Sequence, residues 1–338
     1  MRYFFLETVL LLKTLSWYRV WNAMLLRLSY VGSLLFKMPY RWGLPEALSI
    51  EPSAHCNLHC AECPVGLNRL KRPQGEMSLH LFEKILAETS TTTAYLSLFL
   101  EGEPFLNPHL QEFIQKAKQH RQYVSISTNG HFLTPSVAEN IVLSKLDKLI
   151  ISVDGTTQEV YEQYRKGGDL STVINGIKQL VKAKKKHHSI TPLVEVQFLV
   201  FRHNEHQIDE IKYRSKQWGI DHLSIKTAQF YQPEQKTDFF PTIEKYSRYK
   251  DDGNGQVKIK SRLPNRCWRS WHSAVISWDG KILPCCFDKN GDFVMGTLES
   301  LSLKTIWTSK KYTEFYRTIL RRRASIEMCR NCTEGLKK

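Results

Sequence analysis

The chain has 338 residues, of which 42% are hydrophobic and 24% are charged, a composition that suits a globular protein and excludes a disordered one. Its net charge of +15 is compatible with nucleic acid, an anionic membrane or an acidic substrate, although the basic residues fall in short runs that usually form solvated surface. Eight cysteines are too few for a disulfide scaffold, and their clustering favours metal binding in a reducing compartment such as the cytoplasm.

Residues 1–45 predict an amphipathic helical extension. Charged residues such as Glu7 and Lys13 interrupt the apolar stretch, which argues against a spanning helix and against a signal peptide. One helical face carries Trp17, Trp21, Met24, Leu28 and Val31, and the opposite face carries Arg19, Asn22 and Ser29. Two interpretations stay open. The apolar face packs on the protein's own body, which we favour, or it rests on a membrane interface as a peripheral contact.

Residues 46–230 alternate between strand-like and helix-like segments. Six strand-like segments are separated by helical patterns of ten or more residues. This is the rhythm of parallel βαβ units, so the sequence predicts an α/β fold with a partial (β/α)6 barrel of parallel strands.

The rhythm ends after residue 230. Residues 231–262 are polar and contain prolines, so they predict a linker into a small unit over residues 263–338. That unit is expected to contain a β-hairpin with Asp279-Gly280 as its two-residue turn. A single helix is expected over residues 302–323.

Three cysteines follow the first predicted strand with the spacing C-x3-C-x2-C, at Cys56, Cys60 and Cys63. They can form a Cys3His zinc site with His55 or His59. They can also hold a 4Fe–4S cluster that leaves one iron open, because such clusters normally take four cysteines.

Polar residues follow the later strands, where the chemistry of parallel α/β folds is found. They include Glu103, Asn129 and Asp154. Three further residues are candidates for contact with a substrate, and the only reason is their position at strand ends: Gln197, Lys226 and Tyr231.

The first cysteine loop resembles that of the radical S-adenosylmethionine (radical SAM) superfamily. Three further motifs over residues 46–230 extend the resemblance: EGEP at residues 101–104, STNG at 127–130 and SVDG at 152–155. The resemblance implies that Cys56, Cys60 and Cys63 ligate three irons of a 4Fe–4S cluster. The open iron would then take the amino and carboxylate groups of S-adenosylmethionine. One position departs from the pattern, since Glu62 stands where the superfamily usually has an aromatic residue.

The resemblance also implies roles for residues at the other strand ends. Gly102 and Glu103 would meet the methionine amino group. Asn129 and Ser152 would lie near the ribose and the carboxylate, and Asp154 near the ribose or the substrate.

The remaining five cysteines lie in the C-terminal unit, which resembles the SPASM or twitch extension of this superfamily, including its G-x4-C element at residues 280–285. Five cysteines suit one auxiliary 4Fe–4S cluster better than two. The ligands expected are Cys267, Cys285, Cys329 and Cys332, with Cys286 as a buried thiol that could exchange roles with Cys285. Zinc is the alternative metal.

These features together imply an iron–sulfur enzyme that cleaves S-adenosylmethionine to a 5′-deoxyadenosyl radical and takes hydrogen from a substrate. The expected substrate is a sugar, cyclitol or lipid-linked precursor, and the alternative is a ribosomal peptide or protein. The expected electron donor is a flavodoxin or ferredoxin, and the expected location is the cytoplasm or the inner membrane face. A zinc-braced nucleic-acid-binding protein is the competing class, but no groove-reading motif supports it and no nucleic-acid partner is expected.

Overall fold

A computed structural model describes residues 2–230, 237–251, 257–260 and 262–332. The chain begins with two helices, α1 (Arg2–Leu12) and α2 (Trp17–Phe36). Ser16 separates them as the N-cap of α2, because its hydroxyl accepts a hydrogen bond from the Arg19 amide.

Six strands follow in the predicted rhythm, and each pairs in parallel with the next along the chain. They are β1 (Ala47–Ile50), β2 (Tyr95–Ser97), β3 (Tyr123–Thr128), β4 (Lys148–Ser152), β5 (Leu193–Val200) and β6 (His222–Thr227). The helices between them are α3 (Leu79–Thr89), α4 (Leu110–Gln119), α5 (Pro135–Leu143), α6 (Gln158–Tyr164), α7 (Leu170–Lys186) and α8 (Ile208–Trp218). The predicted partial barrel is confirmed, with the short helix α6 as an element that the sequence pattern missed.

The C-terminal part adds three strands to the same sheet and also forms a separate two-stranded sheet. Its elements are β7 (Tyr249–Asp251), β8 (Val257–Ile259), α9 (Trp268–His272), β9 (Ser273–Ile276), β10 (Lys281–Leu283), β11 (Gly296–Thr297), α10 (Leu303–Trp307), α11 (Lys310–Arg322) and α12 (Glu327–Arg330). Strand β9 lies parallel to β1, and β10 and β11 extend the sheet antiparallel. The predicted domain boundaries stay predictions, and the described part of the expected linker contains the β7–β8 pair.

Two local expectations for this unit are wrong. The hairpin turn does not consist of two residues: the Gly280 amide donates to the Ser277 carbonyl and Gly280 has φ +78°, which gives a three-residue loop ending in a left-handed glycine. The helix expected over residues 302–323 is two helices. Ser309 breaks it, because its hydroxyl accepts from the Tyr312 amide and caps α11.

Helices α1 and α2 cover the end of the barrel at which the strands begin. The Tyr3 hydroxyl of α1 donates to Glu195 Oε2 on β5 at 2.7 Å, and Lys148 of β4 forms ion pairs with Glu195 and with Glu7 of α1. The carboxyl ends of the strands, at the opposite side, are therefore left for the cysteine loop.

Helix α2 is turned with its polar side inward. Arg19, Asn22 and Ser29 are buried. The whole predicted apolar stripe is exposed: Trp17, Trp21, Met24, Leu28 and Val31. The favoured interpretation, in which this stripe packs on the protein's own body, is wrong, because the buried hydrogen bonds of the polar side fix the orientation of the helix.

Candidate active site

The first cysteine loop lies directly after β1 and is held by the last residue of α6 and the segment that follows it. The Ala61 amide donates to the Tyr164 carbonyl and the His59 amide to the Lys166 carbonyl, each at 3.0 Å. The structure brings Cys56, Cys60 and Cys63 to one cavity of about 360 Å³ at the carboxyl ends of the strands.

Histidine does not complete this site as a fourth ligand. His55 and His59 are exposed, and neither lines the cavity. In the described ranges no three His, Cys, Asp or Glu side chains are placed to hold a single metal ion. The loop therefore does not support the Cys3His zinc alternative.

Two side chains from other elements point donors at the loop thiols. Asn129 Nδ2 lies 3.8 Å from Cys56 Sγ, and Arg165 Nη1 lies 3.7 Å from Cys60 Sγ. Burial raises the pKa of the Cys56 thiol to about 11 and also raises the pKa of Cys63. Because iron binds the thiolate, these donors favour the form that a cluster needs, and the loop fits the iron–sulfur cluster that the sequence resemblance implies.

Gly102 packs directly against the backbone of the cysteine loop. It has φ +72°, and a Cβ there would lie 2.4 Å from the Ser53 carbonyl oxygen and 2.7 Å from that of His55. Only glycine tolerates both the conformation and the contact.

Glu103 uses its carboxylate inside the protein. The carboxylate oxygens accept from the Thr128 hydroxyl at 2.8 Å, the Asn129 amide at 2.8 Å and the Phe105 amide at 3.1 Å. Burial raises the pKa of Glu103 to about 7, although the three hydrogen bonds act to lower it. Both carboxylate oxygens therefore already have hydrogen-bond donors from within the protein.

The other predicted site residues divide into two groups. Asn129 and Ser152 line the cavity together with Gly102 and Glu103. Asp154 does not line it: the carboxylate is fully buried, accepts from the Leu199 amide and forms an ion pair with Arg165 Nε at 2.6 Å. Asp154 therefore influences the cavity only by positioning Arg165, which lines the cavity.

Two of the three candidate substrate-facing residues are not at the cavity. Gln197 and Lys226 do not line it, and Lys226 is exposed because β6 is the edge strand of the sheet. Tyr231 lies outside the described residues. Thr227 and Gln229, close to Lys226 in the chain, line the cavity instead.

Three cationic side chains of the cavity were not predicted: Arg165, Arg248 and Lys289. Arg248 donates through Nη2 to the Thr227 carbonyl at 3.1 Å, while its buried Nε and Nη1 find no acceptor among the described residues. Lys289 reaches in from the C-terminal unit and pairs with Glu101 at 2.9 Å. No sequence spacing identifies these residues, because each meets the loop through long-range packing.

The C-terminal cysteines form a second site. Cys267, Cys285, Cys329 and Cys332 line one small cavity, together with the apolar side chains of Phe287, Phe315, Ile319 and Met328. Cys286 does not line it and lies 3.7 Å from Arg269 Nη1. The structure therefore brings together the four cysteines that were expected as ligands, and the arrangement fits an enclosed cluster.

Arg323 is a buried cation at this second site. Its Nη2 donates to Cys332 Sγ at 3.4 Å, and its Nη1 donates to the Arg266 carbonyl at 2.8 Å. Burial alone would lower the pKa of Arg323, but the neighbouring Cys267 and Cys332 raise it. The guanidinium offsets the negative charge that four thiolates bring into an apolar setting.

Comparison with known families matches both sites. Residues 50–212 match the radical SAM superfamily, and residues 267–333 match SPASM, an iron–sulfur cluster-binding domain. Radical SAM domains bind S-adenosylmethionine and a 4Fe–4S cluster, and SPASM domains bind auxiliary clusters.

Curated relatives agree with this assignment. A tungsten-containing aldehyde ferredoxin oxidoreductase cofactor-modifying protein of Pyrococcus furiosus is 25% identical over 79% of this chain and 82% of its own length. A mycofactocin maturase of Mycobacterium ulcerans is 28% identical over 56% of this chain, which spans about half (49%) of that protein.

Solved structures show the same fold. The crystal structure of BtrN in complex with AdoMet and 2-DOIA matches with a TM-score of 0.55 and 20% identity over 86% of this chain and 94% of BtrN. Streptococcus suis SuiB bound to S-adenosylmethionine matches with a TM-score of 0.64 and 15% identity over 90% of this chain and 75% of SuiB. The two family matches, with which this fold agrees, identify the chain as an iron–sulfur enzyme of the radical SAM superfamily with a C-terminal SPASM domain.

Proposed function

We propose that this enzyme cleaves S-adenosylmethionine reductively in the cavity of the first cysteine loop and takes a hydrogen atom from a small anionic substrate. The observation that carries the proposal is the convergence of three loop thiols, Gly102, Asn129 and Arg165 on one cavity. When bound, the reduced cluster supplies one electron to the sulfonium, and the cleavage yields methionine and the 5′-deoxyadenosyl radical.

The chain's own residues bind and orient S-adenosylmethionine. The backbone of Gly102 and Glu103, packed on the loop, offers carbonyl oxygens to the methionine amino group. Arg165 is held by Asp154 and offers a guanidinium to the methionine carboxylate, the pairing that this group makes best. Asn129 and Ser152 supply polar groups for the ribose.

The four C-terminal cysteines suit an electron acceptor. Hydrogen abstraction leaves a carbon radical on the substrate, and loss of one electron and one proton from it completes a two-electron oxidation. The cluster that Cys267, Cys285, Cys329 and Cys332 would hold would supply the acceptor for that electron, and the proton would pass to solvent. The segment after Cys285 connects the two sites, since Lys289 pairs with Glu101 and Arg72 donates to the Lys289 carbonyl.

Arg248 supports an anionic substrate. The buried Nε and Nη1 of Arg248 have no acceptor among the described residues, and such N–H groups are costly unless a ligand supplies the acceptors. A phosphate or carboxylate provides them, and a sugar or lipid-linked precursor carrying a phosphate meets this requirement within a cavity of about 360 Å³.

Peptide modification is the second candidate. It rests on relatives, because one is named a mycofactocin maturase and a SuiB structure holds its precursor peptide SuiA. A flavodoxin or ferredoxin as donor and a cytoplasmic location stay predictions.

The test measures 5′-deoxyadenosine formed by the anaerobically reduced enzyme with three extracts of its host: lipids, polar small molecules and peptides. We expect the lipid or small-molecule extract to raise the rate above the substrate-free rate, and prior treatment of that extract with a phosphatase to remove the increase. Stimulation by the peptide extract alone would favour the second candidate.

Matched variants separate substrate recognition from the chemistry. Arg248→Gln should lose most of the stimulation while it keeps the substrate-free cleavage. Arg202→Gln, at an exposed arginine outside the cavity, should behave as the unaltered enzyme does. Full stimulation of Arg248→Gln would contradict the role of Arg248.

A further inference from the structure

The orientation of α2 is fixed by its buried polar side. Arg19 donates to the carbonyl oxygens of Ser90 at 2.7 Å, His120 at 2.8 Å and Arg121 at 2.9 Å, at the carboxyl ends of α3 and α4. Asn22 exchanges two hydrogen bonds of 2.8 Å with the backbone of Leu44. Turning the helix would leave these groups unsatisfied, so the outward position of its apolar side is built into the fold.

The outward side of α2, together with α1 and the segment after α2, carries most of the exposed large apolar side chains. Of the twenty large apolar side chains that are exposed in the described part of the chain, fifteen lie between Phe4 and Trp42. Trp17 is 74% exposed, Trp21 49% and Leu28 50%, and the two indole rings contact each other with centroids 6.4 Å apart. A surface this concentrated marks an interaction site.

Cations border this surface. Between Glu7 and Glu46 the sequence contains five basic residues and no acidic residue; Lys13 and Lys37 among them are exposed, while Arg27 pairs with Glu46 at 3.0 Å. Arg2 of α1 lines the same shallow groove as Lys185 of α7, so the basic run of residues 182–186 adjoins the apolar surface.

We propose that α1 and α2 dock this enzyme on a bilayer rich in anionic phospholipid, with α2 lying in the membrane plane. Trp17, Trp21 and Leu28 would enter the interface, and Lys13 and Lys37 would meet the phosphate groups. No described helix is long and apolar enough to cross a bilayer, so these helices lie on it. Since they cover the strand beginnings, the cofactor cavity faces away from the lipid.

Charge favours lipid over a second copy of the chain. A symmetric dimer through this surface would bring each copy's cationic border against the same residues of the other copy. Anionic headgroups are complementary to that border, and the inference does not depend on the identity of the substrate.

The test is co-sedimentation of the full chain with vesicles of phosphatidylcholine alone or mixed equally with phosphatidylglycerol. We expect binding to the mixed vesicles that weakens as salt is raised. The combined variant Trp17→Ser, Trp21→Ser and Leu28→Ser should bind at least about tenfold more weakly, because it removes apolar area from the contact.

The control variant carries Leu143→Ser and Tyr213→Ser, which are equally exposed apolar residues elsewhere on the protein. It should bind as the unaltered chain does, and iron content should be equal in all three proteins. Equal binding of the combined variant would overturn the proposal. The proposal would also be overturned if the unaltered chain did not bind the vesicles and instead formed a dimer in solution that the combined variant does not form.

Discussion

The two cysteine sites differ in the number of thiols and in what surrounds them. The first has three thiols beside a cavity of about 360 Å³ with polar groups from several strand ends. The second has four thiols and apolar walls, with the buried Arg323 as its cation. An incomplete thiol set beside a polar cavity suits a cluster that binds a ligand, whereas a complete and enclosed set suits electron storage.

The largest expected effect separates the two sites directly. Cys60→Ala should abolish formation of 5′-deoxyadenosine, by at least about a thousandfold, because the cluster that delivers the electron loses a ligand. Cys329→Ala should retain substrate-free cleavage and lose only the iron of the second site. Iron and sulfide per chain, with 5′-deoxyadenosine by chromatography, check both. If Cys329→Ala also stopped cleavage in a protein with an intact first cluster, the proposed division of labour would fail.

A smaller effect, a loss of affinity for S-adenosylmethionine, is expected from a change at Gly102, which packs against the first cysteine loop. Gly102→Ala places a methyl group against the Ser53 carbonyl in a left-handed conformation, at a cost of about 2–3 kcal/mol. We expect affinity for S-adenosylmethionine to fall by about a hundredfold if that cost falls on the bound state. Equilibrium dialysis measures the affinity, and Gly167→Ala, with nothing near its Cβ, is the control at an open left-handed position.

Changes at Arg165 should affect the binding of S-adenosylmethionine and leave the second cysteine site unaffected. Arg165→Lys keeps the charge and loses the paired N–H groups, so we expect the KM for S-adenosylmethionine to rise by about tenfold. Asp154→Asn should produce a change in the same direction, because Asp154 orients the guanidinium. An unchanged KM in both variants would remove Arg165 from the proposed site.

The smallest effect is expected for the cysteine outside the second cavity. Cys286→Ala should keep all the iron, whereas Cys285→Ala should lose the iron of the second site, because Cys285 lines that cavity and Cys286 does not. Iron analysis distinguishes the two, and the reverse result would mean that they exchange roles.

Local spacing explains what could be predicted from the sequence. The strand–helix rhythm and the C-x3-C-x2-C loop are features of neighbouring residues. The rule that parallel strands share one functional edge pointed to Glu103 and Asn129, which line the cavity, and to Asp154, which does not. Arg165, Arg248 and Lys289 were missed because long-range packing brings them to the cavity. Periodicity likewise showed that α2 has two faces, but the buried face depends on carbonyl groups about seventy and one hundred residues away, which the pattern does not contain.

The most direct test of the central claim uses a variant that lacks the second cluster, with Cys329→Ala and Cys332→Ala. In the anaerobically reduced variant, the electron paramagnetic resonance spectrum of the remaining cluster should change when S-adenosylmethionine is added, because the ligand binds the iron that no cysteine holds. A cluster signal that stays the same at saturating S-adenosylmethionine would contradict the account.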